Sequence, residues 1–287
     1  MKQRNKLGSS YNSPAWVGGA DKVSPLVLRK ALEFVIRRQD AESRHSGKSE
    51  GNENRRARSN RHRENNQRLL KGRGRRLVSV RTKRGNEGPS KGVLSLERGV
   101  LEKSPFLHVV IPNCIDENLA ASLLEWFETK AVWQHRAIND FYQLLFLDFR
   151  DVRLPENLRI LVDDLFLKDL RMRAARLLGA RLGSKVNVTA RKMLPGYHVK
   201  VHTDYGERHQ THQIVVHLNR GWEARNGGLL LMLAHEVPTP DLKNLRCYAP
   251  CHRRAIFFEI SPDSFHAVSK IIAGERYTLC FTFSGDP

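Results

Sequence analysis

A chain of 287 residues, 40% of them hydrophobic, can bury a core in one large domain or two modest ones. Its formal charge of +19 suggests a nucleic-acid binder until it is divided by position: residues 1–100 hold 25 Lys and Arg against 9 Asp and Glu, and the other 187 hold 24 against 21. The basicity belongs to an N-terminal arm and says little about the surface of the C-terminal part.

Four cysteines (Cys114, Cys247, Cys251, Cys280) without a secretory segment predict free thiols in a reducing compartment. No run of about 18 apolar residues is present to span a membrane. A cytoplasmic location is the expectation.

In chain order, Ser24-Pro25 followed by Leu28, Leu32 and Val35 predicts an N-capped amphipathic helix of about 15 residues. From residue 40 to 90 the composition falls to Arg, Asn, Gly, Ser and Glu, which predicts a largely disordered stretch. Its arginines suit RNA or another polyanion by counterion release, against the plainer expectation of a solvated linker, and the aromatic interleaving of a single-strand binder is absent. Phe106 to Ile111 is β-prone and stopped by Pro112. Asp116 then caps a helix with an apolar stripe of Leu119, Leu123, Trp126 and Phe127. A second helical region runs from Pro155 toward a stop at Gly179.

Beyond Gly183 come short strands near 186–194, 197–202, 211–219, 228–233, 254–260, 264–269 and 276–283, separated by Pro, Gly, Asn and Asp turns. The pattern predicts an α+β protein: a basic arm over 1–100 with one short helix, then a domain over 101–287 in which helices support an antiparallel jelly roll.

Within that tail, His202-Thr203-Asp204 offers an imidazole and a carboxylate two residues apart, a spacing that puts both on one side of a strand. The tripeptide alone is close to chance in a chain with 12 His. His266 on a later strand completes two histidines and one carboxylate, the donor set of non-haem iron(II) oxygenases. Arg276 follows by ten residues, an even separation compatible with both facing inward on adjacent strands. A buried guanidinium needs an anion and suits the distal carboxylate of a dicarboxylic keto acid, with Thr278 adding a hydroxyl from the same face. Arg191 and Lys192 are expected on a solvated face, the alternative being the site mouth, and Trp222 and Phe258 in the core.

Residues 104–284 resemble the iron(II)/2-oxoglutarate-dependent oxygenases, most closely their prolyl-4-hydroxylase-like branch. The likeness lies in Pro195-Gly196 ahead of His202, in Val216 to Trp222 leading into Gly227-Gly228, in Ser264 to Val268, and in Gly274 to Leu279. It implies a double-stranded β-helix, cupin-like, with His202, Asp204 and His266 as iron(II) ligands and Arg276 as the 2-oxoglutarate anchor. Val199 and His217 stand where that branch places aromatic residues beside the co-substrate, and His217 is a candidate co-substrate contact. The implied reaction takes up O2, with ascorbate as accessory reductant, releases succinate and CO2, and hydroxylates an amino-acid side chain, prolyl or similar, of a peptide or protein. A small-molecule substrate, as a free amino acid or natural-product intermediate, is the alternative.

Three other readings compete. A structural zinc would draw on His209, His212, Cys247, Cys251 and His252, but no second pair stands at familiar spacing, and a surface turn with two ordinary thiols fits Cys247 and Cys251 better. A catalytically inactive cupin-like binding module with a polyanion-binding arm would have no need of His202, Asp204, His266 and Arg276 together. A nucleic-acid demethylase would resemble its branch by a second arginine six residues after Arg276, where this chain has Thr282.

Overall fold

The computed structural model describes residues 92–138, 141–207, 209–236 and 245–285. The helix expected from Ser24 and the basic stretch 40–90 lie outside the described residues.

Twelve strands form among the described residues: β1 (Val100–Glu102), β2 (His108–Ile111), β3 (Gln134–Ile138), β4 (Tyr142–Asp148), β5 (Lys185–Met193), β6 (Val199–His202), β7 (Gln210–His217), β8 (Leu230–Leu233), β9 (Arg246–Tyr248), β10 (Ala255–Glu259), β11 (Phe265–Val268) and β12 (Arg276–Ser284). Their order is β1-β2-β10-β7-β12-β5-β4-β6-β11-β8-β9, with β3 on β4. Every pairing is antiparallel, and β4 meets β6 only at Tyr142 opposite Val199. The last eight strands therefore sort into two groups of four, β10-β7-β12-β5 and β6-β11-β8-β9, which is the expected double-stranded β-helix.

Alternation along β12 shows how the sequence builds this. Tyr277, Leu279, Phe281 and Phe283 point outward into the cluster shared with the helices, while Cys280 joins the separate cluster between the two groups of strands. The helices are α1 (Glu117–Thr129) and α2 (Asp164–Leu178). Asp116 accepts from the Leu119 N–H at 3.0 Å and Asp163 from the Phe166 N–H at 2.9 Å, so each helix starts on a side-chain cap. Gly179 ends α2 with φ of 64°. The second helical region is broken at Asp163, where ψ is 131°, into a 3-10 segment (Glu156–Val162) and α2. Leu123, Phe127, Phe166 and Leu170 bury fully against the sheet, each contributing roughly 1.5–3 kcal/mol.

The hairpin β3–β4, the edge strand β1 and the short β9 are additions to the expected strands. Packing also reaches back to Val93, Leu94 and Leu96, and the Ser95 N–H donates to Cys114 O at 2.6 Å. Cys247 is not on a surface turn: it lies on β9, buried against Leu231 and Ala267. Among the described residues no helix is long and apolar enough to cross a membrane.

Candidate metal and co-substrate site

His202 and His266 stand directly opposite one another on β6 and β11, with ring centroids 4.1 Å apart. Asp204 joins them by a route that alternation does not supply. β6 ends at His202, and Asp204 takes a left-handed conformation with φ of 54°, which turns its carboxylate back toward the two rings. Its Oδ1 lies 3.3 Å from His202 Nε2 and its Oδ2 3.5 Å from His266 Nε2. The three ligand atoms fall within 4.8 Å of one another, and they form the one such metal-capable cluster among the described residues.

The backbone fixes what these atoms offer. His202 Nδ1 faces Lys200 O and His266 Nδ1 faces Ser264 O, both at 2.9 Å, so each Nδ1 carries the proton and each Nε2 presents a lone pair. Two lone pairs and a carboxylate then converge, a set that calls for a cation. Burial, followed by the nearby His202, lowers the His266 pKa and favours its neutral, ligating form. Burial alone would raise the Asp204 pKa, but when the metal-free rings take up protons on Nε2, hydrogen bonds and charge from His202 and His266 outweigh it and hold the carboxyl far below the usual range. Two imidazoles and one carboxylate on one side of an ion leave its other positions open, which suits iron(II). Phe258, fully buried, sets its ring edge-on to His266 at 5.1 Å.

Arg276 faces the same interior, although β11 and β12 are not adjacent; they belong to opposite groups of strands. Its Nε–H donates to Gly228 O and its Nη1 to Thr278 Oγ1, both at 2.9 Å. Burial lowers its pKa to about 10, with Arg191 adding to the shift, so it stays charged at neutral pH. The socket depends on glycine. Gly228 has φ of +64°, and a Cβ there would come within 2.9 Å of Arg276 Cδ and 2.5 Å of Ile271 Cδ1. Trp222 closes the socket, its indole N–H donating to Gly227 O at 3.0 Å.

Thr278 is the centre of a cross-strand row that reads His217 on β7, Thr278 on β12, Arg191 on β5 and Phe146 on β4. His217 is fully buried and both its ring nitrogens lack a partner. Burial, then Arg276 and Arg254, drives its pKa well below the ordinary value, so it is neutral. Arg191 and Lys192 part company. Lys192 pairs with Glu275 at 2.9 Å and lies 5.3 Å over the Tyr277 ring on the helix side, whereas Arg191 faces the interior instead of a solvated surface. Asn219 is a further residue that sequence reasoning passed over. It donates to Pro250 O and Tyr277 O and accepts from the Tyr277 N–H at 2.6 Å, which fixes the start of β12 next to Arg276.

The alternative ligands stay apart from this cluster. His212 packs beside Phe257 on the helix side, Cys247 lies outside β8, and Thr282 accepts a hydrogen bond from Gln213 at 3.0 Å.

Comparison with known proteins agrees with this geometry. The family model of the 2OG-Fe(II) oxygenase superfamily matches residues 188–283, a span that holds the triad and Arg276. Prolyl 3-hydroxylase OGFOD1 of Mus musculus is 26% identical over 187 residues, covering 64% of this chain and 33% of its own length; the chain spans about a third of that relative. A Pseudomonas putida prolyl-4-hydroxylase structure superposes with a TM-score of 0.51 at 17% identity, over 62% of this chain and 92% of that one. A prolyl hydroxylase from Trichoplax adhaerens, solved with a hypoxia inducible factor peptide fragment, gives 0.51 at 16% identity over 62% and 83%. These two structures share the fold. The matched span, the fold and the convergent donors agree: residues 188–283 match the 2OG-Fe(II) oxygenase superfamily, and that match together with the triad implies iron(II) as cofactor and 2-oxoglutarate as co-substrate.

Proposed function

We propose that this protein hydroxylates an amino-acid side chain, prolyl or similar, in a peptide or protein, with His202, Asp204 and His266 holding iron(II) and Arg276, Thr278 and His217 receiving 2-oxoglutarate. The observation that carries the reading is the convergence of two Nε2 lone pairs and an ionised carboxylate on one point, across an interior from a buried guanidinium with donors to spare. When bound, the metal and keto acid supply the oxidation of a C–H bond by O2, releasing succinate and CO2.

The chain's own residues hold and orient. Arg276 presents Nη2 to the distal carboxylate, and Thr278, whose oxygen already accepts from Nη1, keeps its hydroxyl proton for the same anion. His217, neutral and unpartnered beside Thr278, gives that end of the site one more polar contact. Leu230, Met232, Val268 and Phe258 line the interior and keep water from the reacting centre.

The substrate class rests on two supports. The relative OGFOD1 is a prolyl 3-hydroxylase, and the metal donors sit at an aromatic rim. Phe141 stacks edge-on to His202 at 5.8 Å, and Tyr205, directly after Asp204, is 55% exposed, faces on which an apolar ring packs well. The test is a mass shift of about one oxygen atom on proline-containing peptides, with succinate formed in equal amount. A peptide panel that never exceeds the His266→Ala control in either product refutes the peptidyl reading.

A further inference from the structure

Arg191 is the interior residue that the oxygenase reading leaves without a task. It is half-buried on β5, opposite Thr278 on one side and Phe146 on the other, so its side chain leaves the sheet on the same face as the co-substrate anchor. Arg276 stands opposite Met193, two residues along the same strand. The two arginines are thus diagonal neighbours on adjacent strands, with Cα atoms about 8 Å apart by sheet geometry.

Two guanidinium groups on one face repel each other, and Arg191 does lower the pKa of Arg276. Arg276 is anchored by Gly228 and Thr278. Arg191 has no hydrogen-bond or ion-pair partner among the described residues. Burial works against its charge, and Cys280, then Asp204, Tyr142 and Glu207 outweigh burial, so the carboxylate of the triad is among the groups its charge feels. Asp204 is committed to the metal. A pair of like charges, one beside the distal anchor and one toward the metal, calls for an anion with two negative ends.

We propose that Arg191 holds the carboxylate of 2-oxoglutarate next to its keto group, so that the dianion is gripped at both ends, by Arg276 at the distal carboxylate and by Arg191 at the metal end. This inference rests on the oxygenase reading and adds a co-substrate contact from β5 to it. The two carboxylates then neutralise both guanidinium groups, and their mutual repulsion becomes a reason for the empty pocket to prefer a dicarboxylate over a monoanion.

The test pairs two variants with two ligands on the full chain loaded with Co(II), using calorimetry as the readout. 2-Oxoglutarate carries both carboxylates; pyruvate carries only the one next to the keto group. Arg276→Gln is expected to weaken 2-oxoglutarate by about tenfold to a hundredfold and to leave pyruvate unchanged. Arg191→Gln is expected to weaken both ligands by a similar factor, about tenfold. Arg191→Lys, which keeps the charge and loses the planar fork, should weaken both by less, and it answers the question if the Gln variant melts below the assay temperature. Unchanged affinity for both ligands in the Arg191 variants overturns the inference and leaves Arg191 to the substrate. Failure of the unmodified protein to bind 2-oxoglutarate at all overturns the site reading itself, a different outcome.

Discussion

At the scale of single residues, the anchor is the sharpest case. Arg276 directs Nε–H and one Nη1–H into the protein, which locks the side chain before any ligand arrives. The cost of ordering the fork is therefore already met, and removing it should act on the anion alone. Arg276→Ala is expected to weaken 2-oxoglutarate by about a hundredfold while Co(II) affinity changes by less than about twofold, measured by titration calorimetry. His217 offers a second test. Substituted by Leu, it should lower 2-oxoglutarate affinity by about fivefold and raise thermal stability, because two unpartnered buried nitrogens are removed. A loss of stability with unchanged affinity would reassign it to packing. The metal ligands and Arg276 were legible in the sequence through their order and spacing, His202 and Asp204, then His266, then Arg276 ten residues on, in a β-rich context. Arg191 was not, since an Arg-Lys pair on a strand gives no sign of which member faces inward. That parity is set by the register of β5 against β12, a long-range fact.

At the scale of elements, the strand with the most residues in site and core is β12. It pairs with β5 along its whole length and with β7 along nearly all of it, so its outward face seals the helices while its inward face carries Arg276 and Thr278. Phe281→Ala, fully buried on the outward face against Phe166, is expected to cost about 3–5 kcal/mol in urea unfolding without altering Co(II) binding in the protein that remains folded. Asn219 works on the same strand from its end. Asn219→Ala leaves the Pro250 carbonyl and the Tyr277 N–H unpaired, while Tyr277 O keeps the Leu218 N–H, and a loss of about 2 kcal/mol is expected, together with weaker 2-oxoglutarate binding as the start of β12 loosens. The helices and eight of the strands could be read from caps, periodicity and turn residues. The hairpin β3–β4 could not, because Gln134 to Ile138 is mostly exposed and shows no strict alternation of apolar and polar residues. β9 has three residues and makes sense only as the partner of β8.

At the scale of the whole molecule, two properties are testable. The first is pH. His108 and His212 are buried, and burial pushes the pKa of each down to about 4. The unfolded chain takes up protons on these groups near pH 6.5, whereas the folded chain resists until about pH 4, so stability is full above 6.5 and is lost as pH falls toward 4. Each histidine is worth roughly 3 kcal/mol across that window, and unfolding free energies measured from pH 7.5 to 4.5 should fall steeply with the midpoint of the loss between. The second is charge. Because Val93, Leu94 and Leu96 belong to the core, the basic arm should be removed at residue 91 and not later. A polyanion role for the arm requires that the full chain bind single-stranded RNA with a steeper salt dependence than the chain without residues 1–91; equal salt slopes leave the arm a solvated linker. Composition located that charge but does not say what it is for.

The left-handed turn at Asp204 sets a trade between affinity and rest. A non-glycine residue is held at φ of 54° so that a carboxylate can face two lone pairs, an arrangement that is unfavourable until a cation arrives. Asn accepts the same backbone conformation, has the same shape and brings hydrogens that the two Nε2 atoms can accept. At pH 8 the metal-free Asp204→Asn protein should therefore melt higher than the metal-free parent, and iron(II), Co(II) or Mn(II) should raise its melting temperature far less. The parent's apoprotein is the less stable of the two because it is built for the ion.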